Sequence, residues 1–240
     1  GATGIFNSTS GTLTIVSDSF TNTAGGTFNA NNGTVIFTGS NATIDIGTTQ
    51  TLNHLTVNKT SGYTQTIASG DTLVINGTLT LTDGAISTGT VDAKGPVNVG
   101  TGFDAGSAAL KFTASSNQTY TIDGAGAPPT GSLTINETGT STFTLAGTNT
   151  AYTIGAVTFS SPSGTFNAGS ASITASGLTI DGGGAFTNTS GTLILNGAMN
   201  ITNGTFNGGT NSITVNSNPL TIGATGIFNS TSGTLTIVSD

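Results

Sequence analysis

Apolar and polar residues alternate in short stretches along most of this chain. In residues 11–16 and 191–196 every second side chain is Leu or Ile, and Thr fills several of the positions between them. An alternation of period two predicts β-strands with one buried face. Thr is β-branched and favours the extended backbone, while its hydroxyl suits a wet surface. We therefore expect short strands that direct Leu and Ile inward and Thr outward.

Phenylalanine marks the interval at which these stretches recur. Neighbouring anchors near the two ends of the chain are 20 or 22 residues apart, and most stand in a Gly-x-Phe-Asn context; they are Phe6, Phe28, Phe166, Phe186, Phe206 and Phe228. Seven residues after each anchor comes an aliphatic residue: Leu13, Val35, Ile173, Leu193, Ile213 and Leu235. Residues 38–161 keep the alternation with a less regular phase. Internal periods of this length are typical of solenoids, propellers and other arrays.

The predicted fold is all-β: a right-handed parallel β-helix, or β-solenoid, with about three short strands in each turn of roughly 20–22 residues. Stacked turns would place Phe above Phe, with strands about 4.8 Å apart. The right hand follows from the general handedness of crossovers between parallel strands. A string of immunoglobulin-like sandwiches is the alternative, but it would repeat at about 100 residues.

A longer repeat encloses the short one. Residues 1–18 reappear unchanged as residues 223–240, so residues 1–222 form one unit and residues 223–240 begin the next identical unit. Turns of this length would give about ten or eleven turns and a length on the order of 50 Å per unit. We expect the chain to be part of a covalent tandem array, or else to stack head to tail with other copies of itself. The unbroken restart at Gly223 favours the covalent array.

Corners of the solenoid are predicted where turn-forming residues gather. The longest excursions are expected at residues 59–65 and 125–131, because Pro128 and Pro129 cannot donate to a ladder. The Thr-Ile-Asp-Gly stretches at residues 121–124 and 179–182 are typical of a strand followed by an Asp-Gly turn.

Asparagine directly follows most of the Phe anchors, at Asn7, Asn29, Asn167, Asn207 and Asn229. Amides stacked at a corner can hydrogen-bond to one another along the axis, so we interpret these residues, with the Phe anchors, as a structural ladder. Glycan attachment is the alternative, because the chain contains many Asn-x-Ser/Thr sequons, which include Asn7 and Asn229. A chain so rich in Asn and Thr produces such sequons by composition alone.

Composition narrows the classes of function. Charged residues make up 5% of the chain, with three lysines, no arginine and a net charge of −7. This balance argues against nucleic acid as a partner. No apolar run approaches the roughly 18 residues of a membrane helix, so no membrane insertion is expected.

Candidate catalytic residues are few. His54 is the only histidine and the chain has no cysteine, so no zinc or other metal site is expected. No Gly-x-Ser-x-Gly motif provides a serine nucleophile. Aspartates are scattered without the cation and base that a polysaccharide lyase needs, and the acidic nonapeptide of calcium-binding β-helices is missing. The sequence therefore predicts no enzyme, no cofactor, and no catalytic, cofactor-binding or metal-binding residues.

Several phrases resemble a known class of proteins. Gly-Thr-Phe-Asn, Gly-Thr-Leu-Thr-Leu-Thr-Asp-Gly and Leu-Thr-Val-Asn-Lys-Thr-Ser-Gly are similar to the arrays of giant secreted prokaryotic β-strand-repeat surface proteins. The architecture resembles filamentous-haemagglutinin-like and autotransporter β-helices. The resemblance implies an extracellular or cell-surface structural protein: the repeat of a filament or surface fibre. The alternative is the shaft, or a carbohydrate-binding or surface-binding segment, of a large adhesin, but the chain has no Trp and only three Tyr to stack on sugars.

Overall fold

The computed structural model describes residues 4–23, 25–216 and 219–238. These residues contain no helix, and their strands pair in parallel to form a β-solenoid of about ten turns. The predicted fold class, all-β with stacked parallel strands, is confirmed.

The chain forms two compact units. The first comprises Gly1–Lys111 and Ala125–Gly131, and the second comprises Phe112–Gly124 and Ser132–Asp240. Strands of the first unit are β1 (Ile5–Asn7), β2 (Thr12–Val16), β3 (Phe20–Asn22), β4 (Thr27–Asn29), β5 (Thr34–Gly39), β6 (Ala42–Ile46), β7 (Thr49–Leu52), β8 (His54–Lys59), β9 (Thr64–Ile67), β10 (Thr72–Ile75), β11 (Leu79–Ser87), β12 (Thr90–Ala93) and β13 (Val97–Phe103).

Strand β14 (Ala109–Phe112) ends on the first residue of the second unit. The strands that follow are β15 (Gln118–Ile122), β16 (Leu133–Ile135), β17 (Thr142–Ala146), β18 (Ala151–Ile154), β19 (Val157–Phe159), β20 (Thr165–Asn167), β21 (Ser172–Ala175), β22 (Leu178–Thr187), β23 (Leu193–Leu195), β24 (Met199–Asn207), β25 (Ile213–Asn216), β26 (Leu220–Asn229) and β27 (Leu235–Val238).

Each turn of the second unit contains three strand segments, as the sequence predicts. Strands β19, β20 and β21 make one turn, and the two ends of β22 followed by β23 make the next. Val157 pairs with Leu178, and Leu178 pairs with Met199, so equivalent residues of these turns are 21 apart. Because the pairing is parallel and in register, each apolar position lies against an apolar position of the next turn.

The first unit follows the same rule over β2, β5, β8, β11 and β13. Leu13 pairs with Val35, Val35 with Leu55, and Leu55 with Leu79. Val35, Leu55 and Leu79 are buried, whereas Thr56, which alternates with Leu55, remains partly exposed. The alternation of the sequence thus becomes one apolar column inside the solenoid and one threonine-rich surface outside it.

Two corners require glycine. Gly106 has φ +106°, and a Cβ on it would lie 1.9 Å from the carbonyl oxygen of Ile86 in the first unit. Gly147 has φ +116°, and a Cβ there would lie 2.0 Å from the carbonyl oxygen of Ile122 in the second unit. At both corners the chain passes so close to the backbone of the previous turn that no side chain fits.

Two predicted corners differ from the structure. Lys59 and Gln65 are not loop residues, since Lys59 ends β8, Gln65 lies within β9, and both are buried. The predicted Asp-Gly turn at residues 179–182 lies inside β22, which continues through Asp181 with shifts in its register to β24. The first corner is therefore confirmed only for residues 60–63, where the amide of Tyr63 donates to the carbonyl oxygen of Thr60 at 3.0 Å. At residues 179–182 a polar sequence was read as a turn, although its backbone is paired with the neighbouring turn. The predicted excursion at residues 125–131 lies outside the named strands and has one isolated bridge, from Ala127 to Asp104.

Candidate functional site: the phenylalanine and asparagine columns

The structure places four of the six anchor phenylalanines in one column of the second unit. Phe166, Phe186, Phe206 and Phe228 pair in succession along β20, β22, β24 and β26. Their ring centroids are 4.4, 5.4 and 5.3 Å apart, with interplanar angles of 19°, 14° and 4°. Phe166, Phe186 and Phe206 are buried and Phe228 is half-buried. The rings therefore form a continuous stack in the interior.

Such a stack stabilises contacts between turns. Burial of a Phe side chain contributes about 1.5–3 kcal/mol, and a well-placed aromatic pair adds about 0.5–1.5 kcal/mol. Because each ring contacts the ring before it and the ring after it, loss of one ring disturbs two interfaces. The column thus stabilises the packing of each turn on the next.

The other two anchors form a short column in the first unit. Phe6 and Phe28 stack with centroids 5.6 Å apart at 5°, and Phe20 meets Phe28 edge-on at 5.0 Å. Near Phe28 lies a buried glutamine in place of another ring: Gln50 donates through Nε2 to the carbonyl oxygen of Phe28 at 3.1 Å.

Sequence reasoning missed two further rings of the second unit: one member of the column, and one ring that contacts it from another strand. Phe143 pairs with Phe166, and their rings are 5.0 Å apart. Phe112 meets Phe143 edge-on at 4.6 Å. Neither residue has the Gly-x-Phe-Asn context of the anchors, so only the alternation, such as Phe143 with Leu145, signalled that they point inward.

The asparagine ladder is present in part. Asn29 donates through Nδ2 to Oδ1 of Asn7 at 2.7 Å, and Asn229 donates in the same way to Asn207 at 2.8 Å. Asn167 differs, because its Oδ1 accepts from the backbone amide of Gly169 at 3.0 Å.

A threonine interrupts the column between Asn167 and Asn207. Thr187 pairs with both residues, and its hydroxyl oxygen accepts from Nδ2 of Asn207 at 3.4 Å. The expected stack through all five asparagines is therefore corrected to two amide pairs, because the repeat itself changes from Asn to Thr at this position.

His54 has a structural contact at the start of β8. It is half-buried, and its Nδ1 accepts from the backbone amide of Thr78 at 2.8 Å. The imidazole therefore joins two neighbouring turns.

Lys59 is a buried cation of the first unit that the sequence placed in a loop. Its Nζ donates to the carbonyl oxygen of Thr38 at 3.0 Å and lies 5.9 Å from the centroid of the Phe37 ring. Burial lowers the pKa of Lys59, because a charged ammonium is less well solvated there. A backbone carbonyl and an aromatic face partly replace the lost water.

Glu137 is the corresponding buried acid of the second unit. It is 1% exposed, and neither carboxylate oxygen accepts a hydrogen bond from the described residues. Burial raises the pKa of Glu137 to about 7. Lys59 and Glu137 occupy equivalent positions in the phrases Leu-Thr-Val-Asn-Lys and Leu-Thr-Ile-Asn-Glu. One position of the repeat thus carries a buried basic side chain in one turn and a buried acidic side chain in another.

Two aspartates of the first unit accept hydrogen bonds from backbone amides of other turns. Asp71 accepts through Oδ2 from the amide of Ile46 at 2.8 Å, and Asp104 accepts through Oδ2 from the amide of Gly62 at 3.0 Å. Within the described part of the chain, no three His, Cys, Asp or Glu side chains lie close enough to hold a metal ion.

Among the described residues no helix is long and apolar enough to cross a membrane. Comparison with protein-family models, with curated proteins and with solved structures finds no match to this chain.

Proposed function

We propose that this chain is a structural repeat of an extracellular filament or surface fibre, in which tandem copies extend a rigid β-solenoid. The observation that carries the proposal is the column of stacked phenylalanines, from Phe166 to Phe228, within a ladder of parallel strands. Each contact in this column joins one turn to the next, so the stabilising interactions accumulate along the axis. The proposed role is mechanical and involves no catalysis.

The 222-residue repeat supports the same role. Identity of residues 1–18 with residues 223–240 extends to outward-facing Thr and Ser, where packing imposes little on the side chain. A function that depends on length is served by adding copies, whereas a binding or catalytic site needs only one. The proposed partners are other copies of the same sequence, and the proposed location is the cell surface.

Cryo-electron microscopy of the protein from its native source tests this function. We expect long unbranched fibres with a strand spacing near 4.8 Å along the axis. Discrete beads, or globular particles that carry no axial spacing of this kind, would overturn the proposal.

A matched pair of variants connects the fibres to the column. Phe186→Ala removes a buried ring of the stack, whereas Tyr63→Ala removes a ring outside the stack, on a residue that is 41% exposed. If the column provides the cohesion, Phe186→Ala fibres should break or be digested by proteases well before Tyr63→Ala fibres. Equal loss in the two variants would contradict the role of the column.

A further inference from the structure

The same sequence occurs twice in this structure, and the two copies pair with different neighbours. In residues 4–16 of the first unit, β1 and β2 pair with β4 and β5. In residues 226–238 of the second unit, the end of β26 and β27 pair with β24 and β25. We call this shared sequence the junction segment. Its first copy contacts the turn that follows it in the chain, and its second copy contacts the turn that precedes it.

Both copies adopt the same local structure. Gly11 donates its amide to Oγ1 of Thr9 at 3.0 Å, and the equivalent Gly233 donates to Oγ1 of Thr231 at 3.0 Å. Since the corner between the two strands is formed alike in both units, the segment does not change its fold when its neighbour changes.

The backbone groups used in the two copies are different. The first copy offers the carbonyl oxygen of Gly4 to Thr27 and that of Gly11 to Thr34. The second copy offers the carbonyl oxygen of Asn229 to Gly208 and that of Thr234 to Ile213, and these two correspond to Asn7 and Thr12. These four carbonyl oxygens are at four different positions of the segment, so one copy of the segment can make all four hydrogen bonds at once.

The asparagine of the segment shows the same division of roles. Asn7 accepts on Oδ1 from Asn29, while its equivalent Asn229 donates through Nδ2 to Asn207. An amide has both groups, so a single asparagine can continue the ladder in both directions.

The phenylalanine of the segment has two usable faces. Phe6 stacks on Phe28 at 5.6 Å and 5°, and its equivalent Phe228 stacks on Phe206 at 5.3 Å and 4°. One ring between Phe206 and Phe28 would complete the column with nearly parallel planes.

Each copy of the junction segment has one apolar side exposed to solvent, and this is the side that is packed against a neighbouring turn in the other copy. In the first copy Ile5 is 65% and Phe6 53% exposed, beside an open apolar cavity of about 450 Å³ lined by Ile5, Phe6, Leu13, Ile15, Phe20 and Phe28. In the second copy Ile227 is 53% and Ile237 49% exposed. By contrast Phe206 and Ile213, which the second copy covers, are fully buried.

We propose that consecutive copies of the 222-residue sequence are joined through the junction segment into one uninterrupted parallel ladder. The partner that fills the apolar cavity is the turn at residues 199–216 of the preceding copy. In the shared register Phe206 lies against the segment's Phe, Asn207 against its Asn, and Ile213 against its Leu. This inference rests on the proposed structural function and specifies its partner as the same chain's own repeat.

The test is a two-copy chain, in which residues 1–222 are followed by residues 1–240. The sequence contains no cysteine, so paired cysteines report position without background. One variant carries Asn207→Cys of the first copy with Asn7→Cys of the second copy. The other carries Asn7→Cys and Asn29→Cys, both in the second copy. Strands about 4.8 Å apart suit a disulfide, which needs Cα atoms about 4.4–6.8 Å apart.

The expected result is that both pairs form intramolecular disulfides as completely as the matched pairs of the 240-residue chain, Asn7→Cys with Asn29→Cys and Asn207→Cys with Asn229→Cys. An off-register control, Asn7→Cys with Thr27→Cys in the second copy, should form at least tenfold less. Hydrogen exchange provides a second measurement: the amide of Ser230 in the 240-residue chain should become protected in the two-copy chain, as Ser8 is bonded to Asn29.

If either two-copy pair fails, or forms only between molecules, while the 240-residue controls form, the proposed junction is wrong and the solenoid of each copy still stands. Failure of the 240-residue controls would instead contradict the ladder within one copy, and with it the proposed function.

Discussion

Turns of the second unit between Val157 and Val215 differ from the turn between Thr49 and Ile67 in the first unit. In the former, equivalent positions carry equivalent apolar residues, as in the stack of Phe166, Phe186 and Phe206. In the latter, Gln50, Lys59 and Gln65 are buried at inward positions.

The three buried polar side chains form the same kind of hydrogen bond. Gln50, Lys59 and Gln65 each donate to a backbone carbonyl oxygen of the preceding turn: those of Phe28, Thr38 and Ala42, at 3.0–3.1 Å. A stacked turn offers a carbonyl row along the axis, so a long polar side chain can point inward and still find an acceptor. The pairing of parallel strands therefore maintains the fold even in a turn where polar residues replace apolar ones at inward positions.

The largest expected effect comes from the regular turns. Phe186→Ala should lower the free energy of unfolding by about 3–5 kcal/mol, because it leaves a cavity between Phe166 and Phe206. Phe6→Ala is the matched control and should cost about 1 kcal/mol or less, since half of that ring is exposed. Chemical denaturation of the 240-residue chain measures both. Similar losses for the two variants would show that the column does not depend on burial.

Lys59 tests the turn of the first unit in which polar residues are buried. Lys59→Ala should cost about 2–3 kcal/mol, because the buried aliphatic stem is lost. Lys59→Met keeps the volume and removes the charge, so its stability should stay within about 1 kcal/mol of the parent chain. Thermal and denaturant unfolding compare the two. An equally large loss in Lys59→Met would mean that the contacts of the ammonium group with Thr38 and Phe37 carry the stability.

Glu137 adds a dependence on pH. Its pKa in the folded chain is raised from 4.5 to about 7. Between these values the unfolded chain loses the proton and the folded chain keeps it, so stability should fall as pH rises from 4.5 to about 7 and then level off. Glu137→Gln should remove this fall and stabilise the chain at pH 8 by about 1–2 kcal/mol, after allowance for solvent screening.

Measurement at pH 4 provides the internal control for this variant. Glutamate and glutamine are both neutral there in the folded chain, so Glu137→Gln and the parent chain should have nearly equal melting temperatures. A stabilisation that is the same at pH 4 and pH 8 would contradict the titration of Glu137 and indicate a packing effect.

The smallest effect concerns the interrupted asparagine column. Thr187→Asn would place an amide between Asn167 and Asn207, and one added hydrogen bond should raise stability by about 0.5 kcal/mol. Thr187→Ala removes the acceptor for Asn207 and should lower stability by a similar amount. Differential scanning calorimetry resolves changes of this size in melting temperature. A loss in both variants would show that Thr187 is preferred for its β-branched shape.

Periodicity made much of the fold predictable. The alternation of Leu and Ile with Thr, and the interval of 20 or 22 residues between Phe anchors, predict stacked parallel strands because a core column needs the same kind of residue at the same place in each turn. The second unit obeys this rule closely, so its anchors fell in their predicted column. The turn at residues 49–67 does not, and there Lys59 and Gln65 were wrongly placed in a loop.

The sequence by itself determined the parallel solenoid and the inward position of the Phe anchors, because these follow from repetition along the chain. The predicted turn length of 20–22 residues does not hold throughout, since Leu73 pairs with Val91 and Gln118 pairs with Phe143. Only the tertiary structure decided that Phe143 extends the column, that Thr187 interrupts the amides, and that Lys59 and Glu137 are buried. The physical reason is that a side chain of ambiguous polarity is placed by the backbone groups of the adjacent turn, and these lie about 20 residues away in the sequence.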